Sequence, residues 1–298
     1  MLRCVIIQVI LSGGVCGMVR GAMWGCLGLA MAAFRWVPGL AAGWAAIARR
    51  LLWRMHLITA PLPFPALELA AVAALAWGLA RHRLLRVVWT AAALYALLWY
   101  PAYWADPPAP TPVPESGALE ALCDTLISEL DASPLRFSSP FAEAGAAAGL
   151  PGAVVKPVRY PEWMRRLGAA GLFSPWTGEA LVDGGADPAY IPFTCVHELQ
   201  HLKGVADEGA ANLAAYRACL EYGGMFADSA RVWALRSALT QLERSDPAAA
   251  QRLYSRMDAA LARLAAPTAP GRPNPVSALL GLGRMTSDYE DFVVDLLN

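Results

Sequence analysis

Phe193-Thr194-Cys195-Val196-His197-Glu198-Leu199-Gln200-His201-Leu202, followed by Gly204 and by Asp207-Glu208-Gly209-Ala210-Ala211-Asn212, decides how this chain reads. The apolar spacing from Phe193 to Leu202 predicts a helix, and Gly204 ends it, because glycine adopts the left-handed turn that closes helices. His197 and His201 stand four apart and so project from one helical face. Two imidazoles placed that way can share one Zn2+, and His197-Glu198-Leu199-Gln200-His201 is an HExxH motif. Glu198 follows the first histidine and can reach the metal's open position, where it would take a proton from water and pass it to a leaving amine.

An open catalytic zinc site needs a third protein ligand. Two acids follow the turn at Gly204. Asp207 completes His197-x3-His201-x2-Gly204-x2-Asp207, a metzincin-like spacing. Glu208 opens Glu208-Gly209-Ala210-Ala211-Asn212, the ExxAN pattern of a gluzincin helix, with Asn212 one turn on as the residue that orients the ligands. Neighbours at a helix start diverge by about 100°, so only one of the two can face the metal. The Asn212 pattern favours Glu208, and Asp207 remains the alternative.

Working outward, the composition divides the chain. Of 298 residues, 57% are hydrophobic and only 16% charged, against about 25% charged in ordinary globular proteins. Residues 1–104 hold nine Arg and one acid, Glu68; residues 105–298 hold 15 basic against 23 acidic side chains. An acidic domain without basic clusters argues against nucleic acid as a partner. The apolar first third reads as three membrane spans within Cys4–Phe34, Ala66–Ala80 and Val87–Trp104, with a signal peptide as the alternative for the first. Arg81-His82-Arg83-Leu84-Leu85-Arg86 is then a short basic hairpin, placed in the cytoplasm by the positive-inside rule, with the later domain outside. Glu68 reads as an interfacial residue. Five prolines between Asp106 and Ser116 mark a semi-rigid spacer. The expected division is a membrane anchor over 1–104, a Pro-rich linker over 105–116 and a domain over 117–298.

Within that domain a helix is expected over 117–132, a strand in 150–159, one or two short strands in 172–182, and further helices over 208–221, 229–244, 247–265 and 286–297. The fold class is therefore mainly α, with N-terminal transmembrane helices and a mostly helical α+β domain whose small sheet precedes the HExxH helix. Residues 172–182 suit an edge strand that could hold an extended peptide. Glu179 reads as an exposed carboxylate. Tyr160, Tyr216, Arg217 and Tyr222 are all open as the group that stabilises an oxyanion opposite Glu198. The six cysteines include no CxxC pair and read as free thiols.

Several blocks resemble one bacterial family of uncharacterised multi-pass membrane proteins with a predicted gluzincin-type zinc peptidase domain. They are Gly171-Leu172-Phe173-Ser174-Pro175-Trp176-Thr177-Gly178-Glu179-Ala180, Ile191-Pro192-Phe193-Thr194, the HExxH run through Asn212, Tyr216-Arg217-Ala218-Cys219 and the closing Asp288-Tyr289…Asp295-Leu296. The resemblance spans about residues 60–298 and departs at Ala210, where the family carries a second acid. It implies a zincin-like fold, Zn2+, a lipid bilayer around the anchor and a peptide or protein substrate. An intramembrane protease fits poorly, because Lys203, Asp207 and Glu208 follow the motif within two turns. The remaining alternative is a non-catalytic, zinc-stabilised binding protein tethered to the membrane.

Overall fold

The computed structural model describes residues 25–266 apart from Pro38, 106–113, Ser133 and Leu167, together with Val293, Leu296 and Leu297. It is mainly helical with one small sheet. The N-terminal part carries α1 (Gly25–Trp36), α2 (Leu40–Thr59), α3 (Ala66–Ala80), α4 (Leu84–Leu98) and α5 (Tyr100–Ala105). The remainder runs α6 (Ser116–Asp131), α7 (Ala144–Ala147), β1 (Val155–Pro157), α8 (Glu162–Arg166), β2 (Gly171–Ser174) and β3 (Glu179–Val182). It continues with α9 (Ile191–Leu202), α10 (Glu208–Tyr222), α11 (Gly224–Ser245), α12 (Pro247–Tyr254) and α13 (Ala259–Ala265). The helix expected over 247–265 is thus two, separated by a turn in which Asp258 caps the second through the Leu261 N–H. Most of the helix expected over 286–297, most of the first expected span and residues 106–113 of the proline-rich spacer lie outside the described residues.

The sheet has the order β1-β3-β2, with β1 parallel and β2 antiparallel to the central β3. Alternation sends Phe173, Ala180 and Val182 into the main core, while Leu181 turns to a small cluster with Val158 and Met164. The main core lies between the sheet, α9 and the α6–α11 pair, with Phe193, Leu126, Leu130, Leu199 and Leu235 fully covered. Burying side chains of this size contributes roughly 1.5–3 kcal/mol each.

The apolar N-terminal third packs onto this core, across the expected boundary at 105–116. Leu52 of α2 and Trp99 after α4 belong to the same buried cluster as Phe173 and Leu199. The Trp44 Nε1–H donates to the Leu97 carbonyl at 2.7 Å, and Trp176 Nε1–H in the β2–β3 turn donates to the Ala91 carbonyl at 3.0 Å. His56 is buried against the sheet, with Nδ1 2.8 Å from the Gly178 carbonyl and Nε2 accepting the Val154 N–H at 3.1 Å.

Glu179 is the clearest departure from expectation. It is 1% exposed rather than solvated, and it forms a buried ion pair with Lys156 at 3.0 Å. Its two oxygens also accept the N–H groups of Ala66 and Leu67, each at 2.8 Å, so it caps the start of α3 across the fold. Lys156 further donates to the Thr59 and Phe64 carbonyls at 2.6 and 3.2 Å. Glu68 accepts the Arg159 and Tyr160 N–H groups, tying α3 to the segment after β1.

Among the described residues, Leu84–Ala105, α4 and α5 taken together, is the one helical run long and apolar enough to cross a membrane without a sharp bend. Of the three expected spans, this run takes in Val87–Trp104, while most of Cys4–Phe34 lies outside the described residues. Ala66–Ala80 is apolar but only 15 residues long, bounded by Pro65 and Arg81. Gly25–Trp36 and Leu40–Thr59 pass as a span only when taken together, as a pair bent by 113°.

Candidate metal centre

The start of α9 is fixed by Ser229 of α11, whose hydroxyl accepts the Phe193 N–H at 3.0 Å and donates to the Ala189 carbonyl at 2.6 Å. Phe193 stacks on Trp233 at 4.5 Å, and Cys195, Val196, Leu199 and Leu202 are completely or almost completely buried. Anchoring those positions fixes the rotation of the helix, and hence where His197 and His201 point.

The end of α9 builds the other half of the site. Gly204 takes φ +93°, the Val205 N–H returns to the Gln200 carbonyl and the Gly204 N–H to the His201 carbonyl. These are the two bonds of a Schellman turn, which non-glycine residues close only with strain. The turn folds the Val205 carbonyl back onto His201 Nδ1 at 2.7 Å. A carbonyl can only accept, so Nδ1 carries a proton and Nε2 is the ring atom left for a metal.

The same turn delivers α10. Asp207 becomes its N-cap, with Oδ1 accepting the Ala210 N–H at 2.8 Å, and Glu208 becomes its first helical residue. Glu208 Oε2 lies 3.1 Å from His197 Nε2 and 3.5 Å from His201 Nε2, and the two Nε2 atoms are 3.1 Å apart. His197, His201 and Glu208 form a group that could hold a metal ion. The Asp207 carboxylate is instead spent on its own helix. Asn212, one turn after Glu208, is buried at 3% exposure.

Electrostatically the cluster favours a cation. Burial works against a charge on Glu208, yet the two imidazoles hold its carboxyl well below the usual carboxylate range. Burial alone would lower His201, but the Glu208 carboxylate, helped by Glu198 and the Val205 carbonyl, raises it to about 9. Glu198 is buried and outside the ligand group; burial pushes its carboxyl up to about 7, with the His197 and His201 charges opposing. His197 Nδ1 is buried with no hydrogen-bond partner.

Glu198 packs against the start of the edge strand. A Cβ built on Gly171 would come within 2.2 Å of Glu198 Oε1 and 2.8 Å of its Cγ. Only glycine at 171 leaves the carboxylate where it is. The four residues considered for oxyanion stabilisation stand in different surroundings. Tyr216 is in the buried core, Arg217 is on the surface, Tyr222 donates to Glu143 at 3.1 Å, and Tyr160 is 63% exposed.

Nothing in the sequence points to the aromatic groups around His201. Trp99 stands edge-on to His201 at 5.6 Å, Phe173 lies 6.4 Å from His201, and Tyr103 is edge-on to Trp99 at 6.5 Å. Trp99 and Tyr103 come from the end of the apolar helical run, where aromatics read as a membrane belt and nothing local signals a metal centre.

Residues 141–268 match the model of a family described as a protein of unknown function (DUF3810). The matched segment takes in the sheet, α9 and α10, and so includes His197, Glu198, His201 and Glu208. No curated protein and no solved structure matches this chain.

Proposed function

We propose that the chain is a membrane-anchored zinc metallopeptidase, with zinc held by His197, His201 and Glu208 and with Glu198 as general base. The observation that carries this reading is the convergence of three donor atoms at 3.1–3.5 Å from one another, beside a buried carboxylate outside the group. Donors 2.0–2.1 Å from a tetrahedral zinc lie about 3.3 Å apart, so the donor set suits that ion without rearrangement. The Val205 carbonyl on His201 Nδ1 is the kind of outer contact that orients a ligating imidazole.

Zinc bound there supplies Lewis acidity to a scissile carbonyl and to water. Glu198 accepts the proton of that water at its carboxylate and delivers it to the nitrogen of the leaving amine, which converts two poor steps into assisted ones. β2 is an edge strand, and Gly171 at its start lies against Glu198. An extended peptide added to that edge would run past the base, with main-chain bonds setting its register.

The anchor is the α3–α4 hairpin with Leu84–Ala105 as the spanning helix. Arg81, Arg83 and Arg86 at its tip favour the cytoplasmic side, which puts the metal domain outside the cytoplasm. A reporter fused after Asn298 tests that orientation. Alkaline phosphatase activity is the expected result, and fluorescence from a reporter that matures only in the cytoplasm would reverse it. The activity is tested by incubating the purified full chain with a peptide library, with and without a zinc chelator. Hydrolysis that stops with chelator and returns with zinc is expected. A zinc-loaded protein that cuts no peptide would favour the binding-protein alternative.

A further inference from the structure

The hairpin of α3 and α4 is uncovered over most of its length. Leu69, Val72, Leu75, Leu85, Val88 and Trp89 are each at least half exposed. Its tip carries exposed Arg81, His82, Arg83 and Arg86. Its far end carries Tyr100, Tyr103 and Trp104, with ring centroids 6.0–6.1 Å apart. A basic tip, an apolar shaft and an aromatic collar match the headgroups, hydrocarbon and opposite interface of a bilayer. At 1.5 Å per residue the 22-residue run is about 33 Å long, close to the roughly 30 Å of hydrocarbon it must cross.

The metal domain is fastened along that shaft. Trp176, in the turn beside edge strand β2, bonds the Ala91 carbonyl and lies 5.6 Å from the Tyr95 ring. The ligand His201 lies under Trp99, 15 residues beyond Leu84 and therefore about 22 Å along the helix from the basic tip. A spanning helix with its tip at one interface thus holds the metal centre no higher than the other interface, with the turn beside β2 fastened lower still, at Ala91.

Resting on the peptidase reading, we propose that the substrates are membrane-anchored polypeptides, cut in the extended segment that lies at the bilayer surface. A peptide bond several nanometres above the membrane would have to be drawn down to β2, whereas one next to its anchor already lies at that height.

The test uses the full zinc-loaded chain reconstituted into phosphatidylcholine–phosphatidylglycerol vesicles. One cleavable sequence taken from the peptide library is presented in three ways: free, joined directly to a lipid anchor, or joined through ten prolines. A polyproline spacer holds the site about 31 Å further out. The expected result is hydrolysis of the directly anchored site roughly tenfold or more faster than the proline-raised site at equal surface density, since both share the anchor and differ in local concentration at the edge strand. Equal rates for the two anchored forms, or faster cutting of the raised or free form, overturn this inference and leave the peptidase reading intact. No Glu198-dependent hydrolysis of any form overturns both.

Discussion

Glu198→Gln is expected to bind zinc as the unaltered protein does and to hydrolyse peptides on the order of 10²–10⁴ times more slowly, the usual effect of losing a general base. Glutamine keeps the shape of the side chain and its place beside β2, but it cannot accept the proton. Because Glu198 lies outside the group of His197, His201 and Glu208, the substitution leaves all three candidate ligands in place. Gly171→Ala provides a companion variant. Its new Cβ would occupy the position of the Glu198 carboxylate, so kcat should fall while zinc content stays at one per chain. Single-turnover hydrolysis and metal analysis on the same preparations check both. An unchanged rate in the glutamine variant contradicts Glu198 as the base.

Glu179→Ala is expected to lower the stability of the full chain by about 3–5 kcal/mol, because it leaves the buried Lys156 ammonium without its counter-charge. The same change strips the Ala66 and Leu67 N–H groups of their acceptor, a capping loss of about 1 kcal/mol. Thermal unfolding in detergent should show a fall in midpoint on the order of 10 °C for a chain of this size. Glu179→Gln, which keeps an acceptor for the helix start but not the charge, should fall between the two. A shift of under 2 °C in Glu179→Ala would mean that Lys156 finds enough compensation in the Thr59 and Phe64 carbonyls alone.

These two carboxylates also mark what could and could not be read from the sequence. Glu198 belongs to a motif whose residues lie within one helix, so a spacing of four is sufficient to place His197 and His201 on one face. Glu208 was legible for a related reason. Gly204 signals a sharp turn after His201, and Asn212, one turn beyond Glu208, supplies the pattern that favours it over Asp207. Glu179 carries no such local signal. Its partners lie 23 residues away at Lys156 and 112–113 away at Leu67 and Ala66, so only the folded chain brings them to it. The same holds for Trp99, whose place in an apolar run reads as lipid-facing although it packs on His201. Hydropathy read three spans because it measures apolarity over a window. It does not see that Pro65 and Arg81 confine α3 to 15 residues. The short strands β1 and β3 lie within the segments expected to be extended and β2 begins one residue before its segment, while their order, with β3 central, depends on long-range pairing that no local pattern encodes.

Equilibrium zinc titration of purified wild type, Glu208→Ala and Asp207→Ala measures directly whether His197, His201 and Glu208 act as one metal site. Wild type should take up one zinc per chain. Glu208→Ala should lose affinity by more than the 10–100-fold typical of removing an outer contact. Asp207→Ala should bind as wild type does, because its carboxylate caps α10 through the Ala210 N–H. Retention of zinc by Glu208→Ala together with its loss in Asp207→Ala, or no stoichiometric zinc in wild type, would contradict the account.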